Sequence, residues 1–139
     1  MKIPYEETEI PAARTQGEII SLLYGSGAEA TRWSSTKDGD MELEFIFPVK
    51  GRKVSFRIRT PLLKDSRGKP KPDQSARLLW WWLKSQLEAI RYGLVSVEEA
   101  FLAQAVASLE GRTVAEILLP RLRQGSEILP ALPGPGGER

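Results

Sequence analysis

MELEFIFPVKGRKVSFRIR, residues 41–59, decides the fold. Met41, Leu43, Phe45 and Phe47 alternate with Glu42, Glu44 and Ile46, and after Lys50-Gly51 the residues Val54, Phe56 and Ile58 alternate with Lys53, Ser55, Arg57 and Arg59. Successive side chains of a strand point to opposite faces, so each run reads as a half-buried strand and Lys50-Gly51 as the turn between them. The pattern also sets the register. Pairing Val49 with Arg52 places Phe47 against Val54, Phe45 against Phe56 and Leu43 against Ile58 on the apolar face. It places Glu44 opposite Arg57 and Glu42 opposite Arg59 on the charged face. A slip of one residue mixes the two faces and is disfavoured.

Toward the N-terminus, residues 29–36 read as a third strand joined through Lys37-Asp38-Gly39, a three-residue loop with Gly39 in the left-handed position. Trp33 then faces Leu43, and Arg32 faces Glu44. Upstream, Tyr5 to Ile10 read as a short strand ended by Pro11. Thr15-Gln-Gly-Glu18 has the form of a capping box. It predicts a helix with Ile19, Ile20, Leu22 and Leu23 as its apolar face, closed at Gly25 or Gly27.

Toward the C-terminus, Pro61 ends the sheet and residues 64–72 form a polar loop. Asp73 reads as the N-cap of a helix over residues 74–92, stopped by Gly93. Ala76, Leu79, Leu83, Leu87 and Ile90, with Leu94 beyond them, recur at spacings of three and four and form a stripe to cover the sheet. Trp80 and Trp82 flank that stripe. Leu78, Trp81, Ser85 and Tyr92 lie on the other side, so the first half of this helix is apolar all round and calls for a second layer. Ser96-Val-Glu-Glu99 and Thr113-Val-Ala-Glu116 are further capping boxes. The first predicts a helix to about Leu109, the second a helix toward Arg123 interrupted by Pro120. These two helices are expected to cover Trp81.

The expectation is therefore an α+β fold: an N-terminal helix, a three-stranded antiparallel meander, a long helix packed on the sheet and two C-terminal helices. Residues 1–124 form one domain, and residues 125–139 a flexible Gly/Pro-rich tail. At 139 residues a single domain buries roughly two-thirds of its unfolded surface. Neither cysteine nor histidine occurs. Disulfides, thiol nucleophiles, Cys/His zinc sites and the usual general base near neutral pH are excluded together. The formal net charge of +2 is nearly balanced, so any basic patch is local. No apolar run has the length of a signal peptide or a membrane span, and a cytoplasmic location, that of the host cell, is expected.

Four stretches carry a resemblance: TEIPAARTQGEI, GRKVSFRI, LKSQLEAIRYGLVSVEEAFLA and GRTVAEILLPRL. Most of the chain, in the same order, is similar to a family of small proteins of tailed phages. The resemblance implies a phage or prophage origin and brings no catalytic residues with it. The Trp80-Trp81-Trp82 run is not expected throughout that family.

Asp40, Glu42 and Glu44 share one strand face, where carboxylates can hold Mg²⁺. A metal-dependent nuclease also wants a positioned lysine, but Phe45 and Ile46 follow Glu44, and the register already supplies Arg57 and Arg59 as partners. No catalytic residue, metal ligand or cofactor is therefore assigned. The densest basic stretch runs from Lys64 to Asp73 with Arg77 beyond it: five cations against two acids. Lys64, Arg67, Lys69, Lys71 and Arg77 are the candidate nucleic-acid-binding residues, and a flexible cationic loop suits a phosphate backbone. The outer sheet face, with Arg32, Lys53, Arg57 and Arg59, lacks the aromatics of a stacking platform. Leu78, Trp81 and Tyr92 are the candidate interface, with a monomer favoured over an oligomer. A meander followed by a long helix resembles, by topology alone, the cores of single-strand annealing proteins and of double-stranded-RNA-binding domains. The expected function is a non-enzymatic phage accessory protein that binds DNA or RNA, single-stranded DNA in replication or recombination first among them. The alternative is an adaptor that docks on a host or phage protein machine, such as the transcription or replication apparatus, and regulates it.

Overall fold

The computed structural model describes residues 8–37 and 39–125. Helix α1 (Ala12–Gly25) precedes three strands, β1 (Ala30–Ser35), β2 (Met41–Val49) and β3 (Arg52–Thr60). Then come the long helix α2 (Pro72–Arg91), a single turn α3 (Val97–Ala100), a 3₁₀ turn (Leu102–Gln104) and helix α4 (Val114–Arg123). The fold is α+β, and its three strands lie in the order β1-β2-β3, all antiparallel.

The hairpin register is that set by the alternation: Phe47↔Val54, Phe45↔Phe56, Leu43↔Ile58, Glu44↔Arg57 and Glu42↔Arg59. Lys50 and Gly51 both adopt positive φ, 50° and 81°, as a two-residue hairpin turn requires for the strands to keep their twist. On the other side Trp33 meets Leu43 and Arg32 meets Glu44. Gly39 has φ 90°; Asp38 lies outside the described residues. The Trp33 indole Nε1 is buried without a hydrogen-bond partner among the described residues.

The core is a phenylalanine cluster under two helices. Phe45 stacks on Phe56 at 5.5 Å between centroids and meets the edge of Phe101 at 5.2 Å. Ile19 and Leu23 of α1 and Leu79, Leu83 and Leu87 of α2 close over it. Trp82 abuts Phe101 at 5.9 Å. Removing such a buried ring costs about 3–5 kcal/mol.

Two helix starts differ from expectation. The helix α1 begins at Ala12, not after Thr15, with Pro11 in the cap position and no cap from a side chain of its own. Its first N–H donates to Asp73 Oδ1 at 2.7 Å. The carboxylate expected to cap α2 therefore caps α1. The helix α2 itself starts at Pro72, whose missing N–H is harmless in a first turn. Thr15 and Glu18 form no capping box; they sit inside α1, Thr15 fully buried, and both turn to Arg77. Of the expected strand at residues 5–10, residues 5–7 lie outside the described residues and Thr8–Ile10 are not strand.

Both C-terminal capping boxes form completely, Ser96 with Glu99 and Thr113 with Glu116. The first helix nevertheless stops at Ala100, not near Leu109. Phe101 is drawn into the core, and Ala105–Val106 bridge instead to the edge of β3, with Val106 N–H donating to the Ser55 carbonyl. The second helix is not interrupted by Pro120 but runs to Arg123. Proline at 120 leaves the carbonyl of Glu116 without its helical donor, and the Arg112 guanidinium supplies one at 3.0 Å. These segments do not cover the far side of α2. Trp81 is 54% exposed and Tyr92 78%, Leu94 at 80% does not join the core stripe, and Leu78 is half-buried. The expected tail lies, beyond Gly125, outside the described residues.

Candidate nucleic-acid interface

Leu63 to Lys71 form a closed loop at the foot of α2. Lys71 N–H donates to the Leu63 carbonyl at 2.7 Å, and Lys64 bridges to Pro70. Ser75, in the first turn of α2, fixes the base: its hydroxyl accepts from Leu63 N–H at 2.9 Å and donates to the Lys71 carbonyl at 3.0 Å. Inside the loop, Gly68 N–H donates to the Asp65 carbonyl at 2.9 Å, closing a turn in which Gly68 takes φ 79°. The Asp65 Oδ1 accepts from the backbone N–H of both Arg67 and Lys69, each at 2.9 Å. The Lys69 N–H, more than that of Arg67, holds the Asp65 carboxyl below its ordinary range. An acid that sequence reading counts against the loop's charge is thus spent on the loop's backbone.

The cations are left facing out. Lys64, Arg67 and Lys69 are exposed and Lys71 is half-buried. None of these side chains forms an ion pair among the described residues. Arg77 does not belong with them, and its assignment to the interface is corrected. It is buried, pairs with Glu18 Oε2 at 2.6 Å, and lies over the Trp80 ring at 4.1 Å. It locks α1 to α2.

That lock defines how the helices run. Ala12 meets Asp73 and Glu18 meets Arg77. Contacts advance together along both chains, so α1 and α2 are parallel and both N-termini sit beside the basic loop. Aligned helix dipoles place partial positive charge at that end, and the Asp73 carboxylate already meets it.

The outer sheet face is neutralised. Arg32 pairs with Glu44 and Arg59 with Glu42, each at 2.6 Å, and Lys53 with Glu29 at 3.5 Å. The hydrogen bonds that Arg32 and Arg59 donate to Glu44 and Glu42 raise the two arginines above their ordinary values. Arg57, though in register with Glu44, turns to the Glu116 carboxylate at 3.0 Å and to the Gly111 carbonyl. The Arg57 hydrogen bond, ahead of that from Thr113 N–H, lowers the Glu116 carboxyl. Asp40 accepts from Leu62 N–H at 3.2 Å. All three acids of the presumed nuclease cluster therefore have protein partners, and no group of three metal-ligating residues occurs among the described residues.

Sequence reading missed a groove of about 1340 Å³ between α1 and α2, lined by Arg14, Trp80, Lys84 and Arg91 among others. The signal was present: Trp80, Lys84, Leu87 and Arg91 recur at spacings of three and four along one flank of α2. The search for a core stripe absorbed that flank.

Among the described residues no helix is long and apolar enough to cross a membrane. No protein-family model, curated protein or solved structure matches the chain.

Proposed function

We propose that the chain is a non-enzymatic phage accessory protein that binds nucleic acid through the loop from Lys64 to Lys71. One observation carries the reading: Lys64, Arg67, Lys69 and Lys71 crowd a single short loop, none of them in an ion pair among the described residues, while the Asp65 carboxylate accepts from the loop's own backbone. Phosphates meeting such a loop release counterions, and that release drives association. The α-β-β-β-α order is also that of double-stranded-RNA-binding domains, a likeness of topology that supports a duplex ligand only by analogy.

The test is fluorescence anisotropy with labelled single- and double-stranded DNA and RNA, first at low salt and then across a salt series. Binding should appear at low salt and fall steeply as salt rises. If no oligonucleotide binds at low salt, the reading is lost and the protein-binding adaptor takes its place.

A further inference from the structure

We propose that the groove between α1 and α2 is a second binding site, one that takes an acidic amphipathic helix of a partner protein. Its volume of about 1340 Å³ exceeds the roughly 300–1,000 Å³ typical of small-molecule pockets. It is an open trough along two parallel helices, the shape in which helical peptides are held.

The chemistry of the walls selects the occupant. Leu22, Leu87 and Ile90 give an apolar floor, and Arg14, Lys84 and Arg91 stand exposed around it. Glu18 is already held by Arg77 and Arg14. A helix with one apolar stripe and acidic flanks meets both demands, and complementary charge sets its orientation and speeds encounter. A phosphate backbone fits less well, since it has no apolar face for the floor.

Glycine at 17 supports the same occupant independently. Within a helix glycine is less favourable than alanine by about 1 kcal/mol. Gly17 sits inside α1, its φ is not in the left-handed region, and a Cβ there meets nothing within 4 Å. Neither the backbone nor the packing of this chain requires glycine at that position. Together with Ser21 and Gly25, one and two turns on and also in the wall, it keeps that side of the groove shallow enough for another backbone to come close.

The experiment is selection of a displayed random-peptide library on the full chain, followed by affinity measurement on the selected peptides. The site predicts enrichment of Asp and Glu flanking Leu, Ile or Phe at spacings of three and four. Gly17→Leu starts from a Cβ position with nothing within 4 Å and adds bulk on the groove side; it should keep or raise Tm and weaken the selected peptides at least tenfold. Lys84→Glu and Arg91→Glu should weaken them as well. Peptides without an acidic, helical pattern would overturn the proposal, as would no enrichment at all or affinity indifferent to Gly17→Leu. So would loss of oligonucleotide binding in Gly17→Leu, which would assign the groove to nucleic acid. A variant with Lys64, Arg67, Lys69 and Lys71 changed to Ala should still bind the peptides. That outcome separates this site from the loop.

Discussion

Two regions of this molecule are rich in cations, the outer face of the sheet and the loop before α2, and they are built on opposite plans. On the sheet, cross-strand register sets Glu44 beside Arg32 and Glu42 beside Arg59, Lys53 reaches Glu29 just before β1, and all three bases are spent on these acids. In the loop the local acid bends inward to its own backbone and leaves the cations unmatched. The composition of a stretch therefore does not measure its available charge. The secondary structure that carries the acids decides it.

The largest expected effect follows from removing the unmatched set. Replacing Lys64, Arg67, Lys69 and Lys71 by Ala should lower oligonucleotide affinity about 100-fold at low salt and flatten the plot of log K against log salt by up to about 0.9 per lost phosphate contact. Circular dichroism should show the fold unchanged.

Arg77 sharpens the comparison from the other side, because it is basic, near the loop and already committed. Its pair with Glu18 is buried at the arginine and about a third exposed at the glutamate, so Arg77→Ala should cost about 2 kcal/mol of stability, below the full penalty for a buried pair. Denaturant unfolding measures this. Affinity of the folded fraction should hardly move.

Asp65 is the hinge of the argument. Both backbone bonds reach its Oδ1, and asparagine keeps that oxygen while discarding the charge. Asp65→Asn should therefore preserve the loop and tighten nucleic acid about threefold. Acid should act on the wild type in a definite sense. The folded carboxyls of Asp65 and Glu116 lie below their unfolded values, so the unfolded chain binds more protons as pH falls. Their stabilisation is present above about pH 4, the unfolded carboxylate range, and is lost as pH drops through the folded values. An NMR titration should find both carboxyls protonating below the unfolded carboxylate range.

The smallest effect belongs to the sheet. Changing Arg32, Lys53 and Arg59 together to Ala should alter affinity by no more than about twofold, since exposed pairs contribute little and these cations face acids already. A tenfold loss would erase the distinction between the two regions.

Legibility in the sequence followed the range of the interactions. The hairpin register was readable because period-two alternation and the Lys50-Gly51 turn both act within a few residues. The capping boxes at Ser96 and Thr113 were readable for the same reason. Most misreadings came from partners distant in the chain; that at Pro120 came from a local side chain. Thr15-Gln-Gly-Glu18 mimics a capping box, but Arg77 claims both side chains, and Asp73 caps α1, 61 residues away. The helix after Ser96 ended early because the core took Phe101 and the edge of β3 took Ala105 and Val106. Pro120 did not break α4 because Arg112 replaced the missing donor. At the candidate site, four loop cations were found by counting, whereas Arg77 was miscounted because burial is not a property of composition.

The most direct measurement is an NMR titration of the labelled full chain with an oligonucleotide at low salt, following every backbone amide. Shift changes should concentrate at residues 63–71 and in the first turn of α2, with the amides of Arg32, Lys53 and Arg59 still. Changes centred on the outer sheet face, with the loop still, would contradict it.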